Sequence, residues 1–320
     1  MIGSRTIAGA GAIVAISLAC QSSTKPEAGP PTSGMSGMSG TSGSAPPVVI
    51  KPPPIPTCEQ VAFAESSPVP EASGAAWLTI DGKLGLLVVS DSGNDGAYAL
   101  IDPETGTLRE QGKLPIGGGS DDLEGLAIRG GKLVGISSSG WIRVWERTRT
   151  GFALVAGPYP LGPIDLPDKK RAKPGDPGMV CSERTSNCGR DYEGICLAPS
   201  PAGPCLGFAA SKTDGRLYCL VDKAGKLAVE RSLAIPIAQS GAIADCAFSD
   251  RGELFVGSNL FDAANVYRVF NWADPANAQV DKLGALGIGF PETIAARGEV
   301  LYRMSDTGAA PSLMTKYRCH

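Results

Sequence analysis

The stretch Asp122-Leu123-Glu124-Gly125-Leu126-Ala127-Ile128 returns as Asp191-Tyr192-Glu193-Gly194-Ile195-Cys196-Leu197. Weaker copies are Glu71-Ala72-Ser73-Gly74-Ala75-Ala76-Trp77, Ile243-Ala244-Asp245-Cys246-Ala247-Phe248 and Pro291-Glu292-Thr293-Ile294-Ala295-Ala296. Aligning Ser73, Glu124, Glu193, Asp245 and Glu292 spaces the copies at 51, 69, 52 and 47 residues. A recurrence of roughly 50 residues is the period of a propeller blade, a unit that cannot bury its apolar face alone.

Each copy opens a run of short apolar strands punctuated by turn pairs. In the first repeat the strands are 75–78, 84–90, 97–101 and 107–114, with turns at Asp81-Gly82, Asn94-Asp95-Gly96 and Thr105-Gly106. The second strands end at aligned serines: Ser90, Ser137, Ser211, Ser258 and Ser305. The pattern predicts an all-β chain, a β-propeller of five blades with four antiparallel strands each. The fifth repeat has three strands before His320, and residues 60–64 alternate as a strand with no repeat of their own. That N-terminal strand is expected to complete the last blade and so close the ring, which leaves no exposed edge. Six blades is the alternative, if residues 154–190 hold an irregular blade.

The chain has 42 Gly, 26 Pro and a formal net charge of −3. No global basic field points to nucleic acid. The single His is His320, the last residue, so a Ser-His-Asp triad, a Cys-His pair and a His-ligated zinc site are all excluded as designs for this chain.

Residues 1–19 carry Arg5 and an apolar run, the form of an export signal too short to span a bilayer. Ser17-Leu18-Ala19-Cys20 resembles a bacterial lipoprotein signal, in which Cys20 is lipidated; the alternative is a plain secretory signal with an incidental Cys. Residues 20–57 are Gly, Ser, Met and Pro in a composition that cannot bury a core, hence a tether, and residues 58–320 are the propeller. The expected location is the cell envelope of a bacterium. There a lipid anchor holds a monomer to the outer membrane, in the periplasm or at the cell surface.

Nine Cys less Cys20 leave an even eight, as an oxidising compartment favours. Cys58–Cys319 would staple the ring closed, Cys181–Cys188 would close a small loop, and Cys196 with Cys205 would pair across a hairpin. Cys219 and Cys246 stay unassigned.

Up-and-down strands put the starts of first strands and the ends of second strands on one face. Glu124, Glu193, Asp245 and Glu292 therefore share a face with Asp91, Asn259 and Asp306, around the mouth of the central channel. Glu71, Asp122 and Asp191 lie two residues earlier, on the same parity. Carboxylates that face one another must protonate, spread into water or hold a cation. Oxygen donors without His favour Ca²⁺ before Mg²⁺. The expected metal set is Glu71, Asp91, Glu124, Glu193, Asp245 and Glu292; the alternative is that each acid caps backbone N–H groups of its own blade. Asp91 to Asp102 loosely matches a calcium loop, but a hairpin turn explains it as well. Residues 163–190 lie on the same face and hold Lys169-Lys170-Arg171, Lys173, Arg184 and Arg190, either a site for an anionic substrate or a solvated loop.

Glu71-x-Ser73-Gly74, Ser90-Asp91-Ser92-Gly93, Asp122-Leu123-Glu124-Gly125 and Asp191-Tyr192-Glu193-Gly194 resemble the esterase-like phytase and SdiA-regulated propeller families, over about residues 60 to 320. More distantly they are similar to calcium-dependent lactonase and strictosidine-synthase-like propellers. The resemblance implies a propeller, often with a central Ca²⁺. Two functions are expected from it: a Ca²⁺-holding propeller that binds an anionic small molecule or an envelope partner, or a Ca²⁺-dependent hydrolase of phosphate or carboxylic esters.

Overall fold

A computed structural model describes residues 53–162, 181–259, 262–308 and 310–320. The leader, Cys20, most of the tether and the basic run at 169–173 lie outside them. Among the described residues no helix is long and apolar enough to cross a membrane.

The strands fall into five antiparallel sheets. Blade 1 is β3 (Ala72–Ile80), β4 (Lys83–Ser90), β5 (Ala97–Ile101) and β6 (Leu108–Lys113). Blade 2 is β7 (Leu123–Arg129), β8 (Lys132–Ser137), β9 (Trp141–Thr148) and β10 (Gly151–Pro160). Blade 3 is β11 (Tyr192–Ala202), β12 (Cys205–Ser211), β13 (Arg216–Lys223) and β14 (Lys226–Pro236). Blade 4 is β15 (Ile243–Phe248), β16 (Leu254–Ser258), β17 (Asn265–Phe270) and β18 (Gln279–Ala285). Blade 5 is β19 (Phe290–Arg297), β20 (Val300–Asp306) and β21 (Pro311–Cys319), completed by β1 (Cys58–Val61). The first strands β3, β7, β11, β15 and β19 touch in sequence, and β19 returns to β3. This is a five-bladed β-propeller.

The closing strand is where the alternation put it, two residues earlier than expected, with Cys58 directly opposite Cys319. A further strand, β2 (Ser66–Pro70), was not legible; it pairs with the beginning of β21. The core is not central. Five apolar seams fill the five gaps between neighbouring blades, such as Leu87, Leu126, Leu133 and Trp145 between blades 1 and 2. Cys196, Phe208, Phe248 and Val256 fill the gap between blades 3 and 4.

All eight described cysteines are bridged: Cys58–Cys319, Cys181–Cys188, Cys196–Cys246 and Cys205–Cys219. The first two are as expected. The hairpin pair Cys196–Cys205 does not form. Cys196 lies opposite Phe208, three residues beyond Cys205 and about 10 Å along the strand. Its sulfur instead crosses the seam to Cys246 on the next inner strand, while Cys205 joins Cys219 within its own blade. Four bridges mark a chain that matures in an oxidising compartment, periplasmic or extracellular.

The inner strands meet backbone to backbone. A Cβ on Gly74 would lie 2.7 Å from the Cα of Gly125, and one on Gly125 would lie 2.7 Å from the Cα of Gly194. Glycine here answers close approach of two backbones, as the crowding of first strands predicted. Where blades 4 and 5 carry Asp245 and Thr293 at this position, the side chains stitch instead. Asp245 Oδ2 accepts the N–H of Ile294 at 3.0 Å, and Thr293 Oγ1 donates to the carbonyl of Ala72 at 2.7 Å.

Candidate metal centre

One register irregularity recurs at the start of all five inner strands. The pairing jumps over a single residue between Ala72 and Gly74, Leu123 and Gly125, Tyr192 and Gly194, Ile243 and Asp245, and Pro291 and Thr293. The skipped residues are Ser73, Glu124, Glu193, Ala244 and Glu292. A bulge turns its extra residue out of the ladder and re-aims its side chain, so three of the five blades direct a Glu toward the same mouth.

In this register Asp245 is not the equivalent of the glutamates. Asp245 resembles the glutamates in its chemistry, yet Ala244 holds the equivalent place. Asp245 stands one residue on, in the ring of close contact. There it is buried and accepts from Cys246 N–H at 2.7 Å and Ile294 N–H at 3.0 Å. Burial pushes its carboxyl well above the usual range, with Arg303 as the nearby opposing charge. It belongs to the junction of blades 4 and 5 and not to the acidic mouth.

A second tier comes from the residues after the aligned serines: Asp91, Ser138, Lys212, Asn259 and Asp306. The N–H groups of Asp91, Lys212 and Asn259 bond to the carbonyls of Glu71, Asp191 and Ala242, which places Glu71 and Asp191 in a third tier with Asp122. Glu71 and Asp191 both take left-handed backbone, at φ 49° and 54°. That conformation is uncommon for side-chain-bearing residues and gathers at functional sites.

Asp91, Asp122 and Glu124 converge. Each offers a carboxylate oxygen, and the three lie within 4.8 Å of one another. Burial, then the charges of Glu193 and Asp91, push Glu124 well above the usual carboxylate range. Burial raises Asp91 as well. It lifts Asp122 to about 6, against the pull of a hydrogen bond from Ser138 Oγ. Ser138 Oγ also accepts the N–H of Asn187 at 2.8 Å, inside the loop that Cys181–Cys188 closes. Glu71 sits beside this group, its Oε2 accepting from Asn94 Nδ2 at 2.8 Å.

The other half of the mouth is different. Glu193 is 2% exposed and its Oε2 accepts from Lys212 Nζ at 2.8 Å, while its Oε1 is buried with no hydrogen bond among the described residues. Burial opposes the Lys212 ammonium, but the charge and hydrogen bond of Glu193 outweigh it and hold the amine above its ordinary value. Burial lifts Glu292 to about 7; Lys212 pulls against that shift, and Asp306, Asp91 and Glu71 add to it. The Asn259 amide is buried, and among the described residues neither of its polar atoms is bonded.

Of the expected ligands, Asp91 and Glu124 meet directly, Glu193 and Glu292 share their field, and Glu71 abuts Asp91 through Asn94. Asp122 belongs at the centre of the group. Lys212 was missed altogether, although its place directly after Ser211, where other blades carry Asp91, Asn259 and Asp306, marks it. Asp102 is no partner of Asp91: it accepts from the N–H groups of Glu104 and Thr105 and pairs with Arg109, in the turn after β5. The Asp91 stretch is therefore a hairpin turn. Arg190 is buried against the Tyr218 ring and bonded to Tyr218 and Asp214, and so does not face solvent.

No protein-family model matches the chain, and no curated protein matches it. Among solved structures, similar ones include a 6-phosphogluconolactonase-like protein of Bacteroides uniformis (16% identity, 75% of this chain and 79% of that chain, TM-score 0.44). Luciferin-regenerating enzyme shares 12% identity over 82% of this chain and 95% of that chain, TM-score 0.45. Glutaminyl cyclase of Myxococcus xanthus shares 12% identity over 83% of this chain and 98% of that chain, TM-score 0.47. At these identities the likeness is one of fold.

Proposed function

We propose that this is an exported, envelope-tethered propeller that holds a Ca²⁺ at its channel mouth and binds an anionic small molecule or an envelope partner on that face. The observation that carries the reading is the convergence of half-buried Asp91 with buried Asp122 and Glu124. Three like-charged groups in a poorly hydrated site repel unless they are protonated or share a cation. Oxygen donors alone suit a hard ion, and a spread within 4.8 Å is what one Ca²⁺ with oxygens about 2.4 Å away spans. The bound ion would hold two blades together and offer its open positions to an anionic ligand. The anchor on Cys20 rests on the lipoprotein-like leader.

A second reading, a Ca²⁺-dependent hydrolase of phosphate or carboxylic esters in the manner of phytase-like propellers, draws on Glu292. Its carboxyl, lifted to about 7, is poised to hold or release a proton near neutrality, beside the Lys212 cation. A thermal melt of the full chain in EGTA and then in Ca²⁺, beside a panel of phosphate esters, carboxylic esters and lactones, tests both. The Ca²⁺ reading expects a rise in Tm that Glu124→Gln removes; no rise overturns it. Turnover that Glu292→Gln abolishes, with the Ca²⁺ rise intact, would select the hydrolase.

A further inference from the structure

The mouth is not electrically five-fold. Among the described residues, blades 1 and 2 supply Asp91, Asp122 and Glu124 with no cation bonded to them, whereas blade 3 places Lys212 on Glu193 at 2.8 Å. Lys212 occupies the position where blades 1 and 5 carry Asp91 and Asp306. Its side chain is 23% exposed, so its stem lies in the wall and its ammonium is presented to the acids. The ammonium satisfies Glu193 Oε2 and leaves Oε1 buried without a hydrogen-bond partner among the described residues. That orphaned oxygen is an open ligand position on the side that Lys212 guards.

We propose that Lys212 is a tethered cation that stands in for a second metal ion, so that the mouth takes one Ca²⁺, on Asp91, Asp122 and Glu124, and excludes another from Glu193 and Glu292. This rests on the reading of the mouth as a Ca²⁺ site. The exclusion is electrostatic. A divalent ion on Glu193 would sit beside the ammonium, and like charges a few ångströms apart in a partly buried site repel strongly. Removing the ammonium leaves Glu193 and Glu292 as an uncompensated acidic pair, which gathers a cation of its own. Lys212 is in this sense a specificity-determining residue: it sets how many ions the propeller holds.

The experiment is Ca²⁺ titration by calorimetry and by equilibrium dialysis on the full chain, wild type beside Lys212→Gln, Lys212→Arg and Lys212→Gln/Glu193→Gln. The expected stoichiometry is one ion per chain for wild type and for Lys212→Arg, two for Lys212→Gln, and one again for the double variant. Lys212→Gln should also gain more in Tm from Ca²⁺ than wild type does. If Lys212→Gln melts cooperatively yet binds one ion with wild-type affinity, the proposal is overturned while the Ca²⁺ reading stands. Two ions in wild type overturn it in the same way. If wild type binds none, the Ca²⁺ reading fails and takes the proposal with it. Should Lys212→Gln not fold, Lys212→Met serves in its place, and Glu193→Gln alone is then expected to leave wild-type stoichiometry unchanged.

Discussion

Asp245 Oδ2 accepts the backbone N–H of Ile294 at 3.0 Å, across the gap between the innermost strands of blades 4 and 5. The acid that looks most like a fourth spoke of the ring is thus a fastener between blades. Asp245→Ala would leave two buried N–H groups, those of Cys246 and Ile294, without acceptors. It should destabilise the domain by about 2 kcal/mol, read as a lower urea midpoint, while the Tm gain from Ca²⁺ stays as in wild type. Loss of that gain would return Asp245 to the metal site.

Gly125→Ala places a Cβ 2.5 Å from Ile195 N and 2.7 Å from the Cα of Gly194. Backbone cannot yield as a flexible side chain does, so the inner strands must part. The expected cost is about 3 kcal/mol. Gly130→Ala sits in open space at φ 56° and carries only the smaller penalty of left-handed backbone, about 1 kcal/mol. Denaturant melts of the two variants should separate clearly, with Gly125→Ala the weaker.

Without Ca²⁺, Asp122 at about 6 and Glu292 at about 7 hold protons that the unfolded chain has already released. Both shifts are upward. The stability they confer is therefore full below the unfolded value near 4 and is lost as the pH rises through about 6 to 7. In EGTA the urea midpoint should be higher at pH 5 than at pH 8. Saturating Ca²⁺ should raise the pH 8 value more than the pH 5 value, because the ion binds the ionised acids.

The bridges close loops of very different length: 261 residues for Cys58–Cys319, 50 for Cys196–Cys246 and 14 for Cys205–Cys219. On the loop-entropy account, replacing each pair by Ser should cost about 5, 4 and 3 kcal/mol in that order. Calorimetric melts of the three double variants check the order.

Ser138 Oγ donates to Asp122 and is itself held by Asn187 N–H, so it orients one ligand of the proposed ion. Ser138→Ala should weaken Ca²⁺ binding about tenfold, as loss of an outer-shell partner does elsewhere. Reduction of Cys181–Cys188 frees the loop that carries Asn187 and should move the affinity in the same direction, measured by calorimetric titration.

The blades are legible because the inner strand, its Gly and the serine that ends the next strand repeat together, as in Gly125 with Ser137 and Gly194 with Ser211. Asp245 was misplaced because sequence alignment matches chemistry, whereas the bulge counts positions. A one-residue jump in pairing is invisible until partners are known. Lys212 is not legible for the opposite reason: it is the one position of its tier where a cation answers the acids instead of repeating them. Cys196 misled because a hairpin suggested its partner, when the seam between blades decided it. The mouth's chemistry is spread over residues 71 to 306, and only the ring brings them within reach.

Blade 5 is assembled from both ends of the folded region, β1 against β21. A chain that emerges N-terminus first makes β1 before any blade and must wait for residue 319 before it can dock. Until then β1 and β2 are unpaired, β20 offers an open edge, and Cys58 is a thiol with no partner while the other three bridges can already close. Unpaired strand edges are where nascent β proteins aggregate. Maturation in an oxidising compartment therefore has one committing event, the meeting of Cys58 with Cys319, and a truncated or stalled chain is recognisable there by a reactive sulfur and an unsealed sheet.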